Sequence, residues 1–273
     1  MKLFAISDLH IGHPENRVLA EELWPETADD WLVVAGDVAE VAGDIIGLLR
    51  LLAGRFAKVI WAPGNHELWT PARDPLRLRG VPRYEYLVDR CRELGVVTPE
   101  DPYPVWPGDG GPVVIAALLV LYDYTFRPAG TTVESARAKA YESGIVCTDE
   151  MFLHPDPYPS RELWCAARVA YTERRLSEVD STLPTILANH YPLVFDPVSV
   201  LRHPEFAIWC GTRQTATWHT RFRARTVVYG HLHIPRTTWY DGVKFQEVSL
   251  GYPREWRARG RAPGLLRQIL PMT

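Results

Sequence analysis

Phe56-Ala57-Lys58-Val59-Ile60-Trp61-Ala62-Pro63-Gly64-Asn65-His66-Glu67 is the stretch that decides the fold. Its apolar run, 56–63, centres on Val59-Ile60-Trp61 and has the length of a buried central strand. Gly64 predicts a sharp turn after that strand. Asn65 and His66 then stand at the strand's carboxyl end, where open α/β sheets bind their ligands. Four further stretches repeat the arrangement: Asp8-Leu9-His10, Gly36-Asp37, Asn189-His190 and Gly230-His231-Leu232-His233 each follow an apolar, strand-like run. One histidine near a strand end is ordinary; five such clusters after five strands form a pattern.

Outward from that stretch, residues 3–7 and 31–35 read as the two preceding strands. Residues two apart in extended backbone share a side, so Asp8 and His10 are expected to face one point. Between the second and third strands, residues 43–55 carry Ile45, Ile46, Leu48, Leu49, Leu51 and Leu52 at helical spacing. Residues 113–120, 184–188 and 226–229 continue the strands, with helices over 84–94 and 163–179. Asp241-Gly242 between two β-rich runs predicts a hairpin. Strand, crossover and strand in repetition predicts a parallel sheet covered by helices. The pattern lapses at about 121–161, an irregular, aromatic-rich insertion of the kind that is usually functional. No linker divides the chain, so one domain over 1–273 is expected.

Composition narrows the classes. Hydrophobic residues at 47% and charged residues at 23% are usual for a soluble globular chain. A net charge of −3 argues against a general nucleic-acid binder. Cys91, Cys147, Cys165 and Cys210 are scattered, with no zinc-thiolate or redox spacing, and reduced thiols are expected. Residues 1–6 are too short for a signal peptide and no run reaches membrane-spanning length. A cytoplasmic location is expected.

Asp8, His10, Asp37, Asn65, His190, His231 and His233 offer only oxygen and imidazole donors. Such a set suits manganese, iron or zinc. Seven donors exceed the need of one ion and point to two, roughly 3.5–4 Å apart in such sites. A carboxylate can bridge them, and a two-metal clamp serves in-line displacement at phosphorus.

These ordered motifs resemble those of the calcineurin-like metallophosphoesterases over nearly the whole chain. The resemblance implies an α/β fold, an αββα sandwich of two mixed sheets flanked by helices. It implies one metal on Asp8, His10, Asp37 and His233, and a second on Asp37, Asn65, His190 and His231, with Asp37 bridging. His66 matches the family's general acid or transition-state stabiliser. Glu40 stands where many relatives carry Asp, a departure expected to have little effect. Manganese and iron are the metals the family often uses.

Residues 56–69, Trp209-Cys210-Gly211-Thr212, 228–241 and Gly251-Tyr252-Pro253-Arg254-Glu255-Trp256 resemble more narrowly the actinobacterial 4′-phosphopantetheinyl hydrolases. That resemblance implies hydrolysis of the phosphopantetheine–serine phosphodiester of a holo acyl or peptidyl carrier protein, with no membrane or nucleic-acid partner. Tyr122, Asp123, Tyr124 and Phe126 are then expected to wall a pocket for the pantetheine arm. Arg213, Arg254, Arg257, Arg259 and Arg261 are expected to attract an acidic carrier. The metal motifs alone leave open a phosphodiesterase or phosphatase for nucleotides, cyclic nucleotides included, or other small phosphoesters. A scaffold without activity would be expected to lose metal ligands, and none of the family's ligand positions is lost.

Overall fold

The structure, a computed structural model, describes residues 1–260 and 265–272. Its strands are β1 (Leu3–Ile6), β2 (Trp31–Val34), β3 (Lys58–Trp61), β4 (Val105–Trp106), β5 (Val113–Ala117), β6 (Thr185–Ala188), β7 (Ala224–Tyr229), β8 (Arg236–Tyr240), β9 (Val243–Glu247) and β10 (Arg267–Leu270). They form two sheets, ordered β10-β1-β2-β3 and β4-β5-β6-β7-β9-β8. The middle of each sheet is parallel, while β10, β4 and β8 pair antiparallel at the edges. The helices are α1 (Pro14–Glu21), α2 (Ala42–Ala53), α3 (Asn65–Leu68), α4 (Gly80–Glu93), α5 (Val133–Glu142), α6 (Asp149–Phe152), α7 (Arg161–Ser177), α8 (Trp218–Arg221) and α9 (Pro253–Ala258). None of the described helices is long and apolar enough to cross a membrane.

The two-residue period of each strand explains the layering. Leu3, Ala5, Trp31, Val33, Ile60, Ile115, Ile186 and Val228 share one buried cluster between the sheets. Their strand neighbours Phe4, Ile6, Leu32, Val34, Val59 and Trp61 join a second cluster with Ile45, Leu48, Leu49 and Leu52 of α2. Strands buried on both faces must be apolar at every position, which is why these segments read as unbroken hydrophobic runs. The result is an αββα sandwich of two mixed sheets.

The sheets are knitted together just past the ends of β1 and β9. Ser7 N–H donates to Val248 O, and Leu250 N–H donates to Ser7 O. The turns after β1 and β2 are joined likewise, through Asp8 N–H to Gly36 O and His10 N–H to Asp37 O. The candidate ligands all leave from this end.

The insertion is ordered by packing. α5 and α6 lie in it, and Tyr122, Asp123, Tyr124 and Phe126 are buried. The predicted hairpin is β8–β9, with Asp241 and Gly242 at φ 51° and 75°.

Candidate metal centre

The ligand-bearing turns do not continue the extended backbone of their strands. Asp8, His10, Asp37, His231 and His233 all have φ between 42° and 69°, a left-handed conformation that costs non-glycine residues energy and collects at functional sites. Asp8 and His10 therefore converge through a tight turn, and the alternation expected of an extended strand plays no part. Gly64 also has a different reason from the one its sequence suggests. Its φ is −99°, open to any residue, but an added Cβ would lie 2.2 Å from Asp37 Oδ1. The glycine is required by close approach.

The turns bring all seven candidate ligands together. Asp8, His10 and His233 form one cluster, and Asp37, His190 and His231 another, the donor atoms of each lying within 4.8 Å of one another. His233 Nε2 is 3.0 Å from Asp8 Oδ1 and 3.1 Å from His10 Nε2. His190 Nε2 is 3.1 Å from Asn65 Oδ1 and 3.3 Å from Asp37 Oδ2. Asp37 Oδ2 lies between the clusters, 4.0 Å from His10 Nε2. His66 Nε2 is 3.8 Å from the same oxygen, and His66 groups with His10 and Asp37 by distance.

The donor set fits cations. His190 Nδ1 donates to Ala35 O and His233 Nδ1 to a carboxylate oxygen of Glu255, which turns each Nε2 toward the centre. Such outer partners orient imidazole ligands and raise their basicity. His231 Nε2 is buried with no hydrogen-bond partner among the described residues, a costly state for a polar atom unless something coordinates it. Imidazole nitrogens, an amide oxygen and two carboxylates thus converge on one point.

Carboxylates and imidazoles at the centre perturb one another. Burial alone would raise Asp8 and Asp37, yet His233 beside the first and His190 beside the second hold both well below the usual carboxylate range. Burial works against the charged forms of His190 and His233, but Asp37 and Asp8 push these imidazoles up to about 10. Burial and neighbouring imidazoles lower His10 well below its ordinary value and His231 to about 3, so both stay neutral donors.

Several residues at the centre were not among the candidate ligands. Glu67 accepts the N–H groups of Asp37, Val38 and Gly64 and so fixes two ligand turns to each other. Burial and Asp37 push its carboxyl up to about 7 against those bonds. Ser7 and Ser249 hydroxyls donate to Asp8 Oδ2. His66 Nδ1 lies 3.0 Å from Glu40 Oε1, and Arg73 pairs with the other oxygen of Glu40. Glu40 was expected to matter little; its spacing after Asp37 was the only hint of this contact.

Tyr122, Asp123, Tyr124 and Phe126, expected to wall a substrate pocket, do not line the cavity beside the ligands. Asp123 binds Thr125, Thr212 and Gln214, Tyr124 hydroxyl donates to Glu150, and Tyr122 packs edge-on to Tyr191. Arg213 donates to Thr125 O and sits over the Phe195 ring. A cavity of about 380 Å³ opens beside the ligands, and its walls include Trp69, Leu201, Phe206, Tyr252 and Arg254 together with Val146 of the insertion. Of the arginines expected to attract a partner, Arg257 pairs with Glu15, and Arg259 donates to His233 O and Leu250 O. The Arg254 side chain is 84% exposed at the cavity, and Arg261 lies outside the described residues.

Comparison with known proteins agrees with this geometry. The sequence profile of the calcineurin-like phosphoesterase family matches residues 1–235. The acyl-carrier-protein phosphodiesterase PptH of Mycobacterium tuberculosis is 57% identical over 270 residues, 98% of this chain and 83% of that protein. The crystal structure of the phosphopantetheinyl hydrolase PptH from Mycobacterium tuberculosis superposes with a TM-score of 0.97, covering 99% of this chain and 96% of that one. A further solved structure, 14% identical with a TM-score of 0.54 over 98% of each chain, bears on the fold alone. The chain, with its His and Asp clusters suited to a dinuclear metal site, belongs to the calcineurin-like phosphoesterase family.

Proposed function

We propose that this protein is a dinuclear-metal phosphodiesterase acting on holo acyl or peptidyl carrier proteins. Water would cleave the bond between phosphorus and the carrier's serine oxygen, giving apo carrier protein and 4′-phosphopantetheine. The observation that carries the substrate is the 57% identity, over 98% of the chain, to a protein described as an acyl-carrier-protein phosphodiesterase. We read the chain as one domain. A cytoplasmic location goes with four buried, unpaired thiols.

Asp8, His10, Asp37 and His233 would hold one ion, and Asp37, Asn65, His190 and His231 the other, with manganese and iron the favoured pair and zinc also suited to the donors. Bound there, the ions supply Lewis-acid charge for phosphoryl oxygens and for activating water. His66 is assigned to the leaving group. Its Nδ1–H points at the Glu40 carboxylate, so the ring is held with Nε2 toward the centre, from where it can hand a proton to the serine oxygen. An alkoxide is a poor leaving group, and this proton is needed as the bond breaks.

Intact-mass spectrometry of a holo acyl carrier protein, incubated with enzyme and manganese(II), tests the reading. The carrier is expected to lose the mass of phosphopantetheine, and Asp37→Asn enzyme is expected to leave it intact. An unchanged carrier, with turnover of a simple aryl phosphodiester, would return the protein to the small-phosphoester alternative.

A further inference from the structure

Asp149 opens α6, within the insertion, and its side chain is fully buried. No cation pairs with it among the described residues, although burying an unpaired carboxylate is expensive. Its Oδ1 accepts two hydrogen bonds, from Asn65 Nδ2 at 2.8 Å and from Trp69 Nε1 at 2.6 Å. Both donors belong to the candidate centre. Asn65 is the amide among the ligands, and the Trp69 ring stacks on His66 with centroids 3.7 Å apart and planes 26° from parallel.

An asparagine amide has nearly the same shape when turned by half a rotation, but its two ends are chemically opposite. One turn presents oxygen to a cation; the other presents an NH₂ group, which cannot ligate. The carboxylate removes that ambiguity. It accepts from the NH₂ end, and a turned amide would set oxygen against oxygen at hydrogen-bond distance. Asn65 Oδ1 is thereby left facing His190 Nε2, 3.1 Å away. The bond to the indole fixes the plane that rests on His66.

We propose that Asp149 is a positioning residue that selects the ligating turn of Asn65 and anchors the Trp69 ring against His66. It makes the insertion part of the metal centre, acting through Asn65 and Trp69. The inference rests on the reading of Asn65 as a metal ligand.

Manganese(II) titration by calorimetry on Asp149→Leu and Asp149→Asn enzymes tests it, beside turnover of an aryl phosphodiester. Leucine fills similar space and accepts nothing; asparagine keeps an acceptor oxygen. The leucine variant is expected to bind one equivalent of manganese about 10–100-fold more weakly, the usual cost of losing an outer-shell partner. Its kcat should fall with KM little changed, and Asp149→Asn should recover most of both losses. Wild-type-like titration and kcat in the leucine variant would overturn the inference while leaving the metal centre intact. Wild-type protein that binds no manganese would instead bring down the metal reading and this inference with it. Trp69→Phe keeps a ring over His66 but deletes the indole donor, so it serves if the leucine variant does not fold. It should leave manganese affinity unchanged and lower kcat, and an unaltered kcat would overturn the anchoring of Trp69.

Discussion

At the scale of single residues, Glu40 shows how much a site depends on what stands behind it. His66 can present Nε2 to the centre only while Nδ1 is engaged, and Glu40 Oε1 engages it. Glu40→Gln keeps the shape and an acceptor but removes the charge that supports a protonated ring. We expect kcat to drop by about tenfold or more, with bound metal equal to wild type, because Glu40 contacts none of the seven candidate ligands. Parallel assays of aryl phosphodiester turnover and metal content check this, and an unchanged kcat would make the pair ornamental. The identity of the candidate ligands was legible in the sequence because donor type and position after an apolar run are local properties. Their conformation was not. The left-handed turns at Asp8, His10, Asp37, His231 and His233 depend on contacts with other turns, and the tolerance of Asp and His for that conformation is too weak a signal to place them. Asp149 reaches Asn65 across 84 positions, from a stretch with no periodicity to read.

At the scale of elements, the strands were legible because both faces are buried and every position must be apolar. The insertion was harder. Its aromatic residues announce burial without saying whether they face a cavity or a core, and Tyr122 and Tyr124 face the core. The start of β2 shows how an element is held at the end away from the metals. Asp30, fully buried, accepts Lys2 N–H, Glu26 N–H, Thr27 N–H and the Thr27 hydroxyl. Burial opposes its charge, but these donors outweigh it and hold its pKa below the usual carboxylate range. Because the folded value is the lower one, the carboxylate stabilises the fold fully above its unfolded pKa of about 3.9. That contribution disappears as pH falls through the folded value. Asp30→Asn leaves at least one buried donor unmatched and should cost about 2 kcal/mol at pH 7. Urea melts at pH 7 and in acid check both halves: the gap between variant and wild type should narrow below about pH 4. A gap independent of pH would remove the charge from the explanation.

At the scale of the molecule, the two sheets meet at the candidate centre, and each supplies part of it. Asp8, His10, Asp37 and Asn65 leave the four-stranded sheet, while His190, His231 and His233 leave the six-stranded one. Ions held there would tie the halves of the sandwich together, and binding that requires both halves stabilises only the folded state. A single site at a hundred times its Kd contributes about 2.7 kcal/mol. For a chain of this size that corresponds to a rise of about 5–10 °C in Tm. Thermal melts of chelated protein with and without added manganese(II) should show such a rise. In Asp37→Asn the rise should shrink most, because Asp37 Oδ2 is the atom that stands between the two clusters. Replacing Arg257 on the surface, where it pairs with Glu15, should leave the rise intact, since an exposed ion pair contributes little. An equal rise in wild type and Asp37→Asn would mean that manganese stabilises the protein from somewhere other than the seam between its sheets.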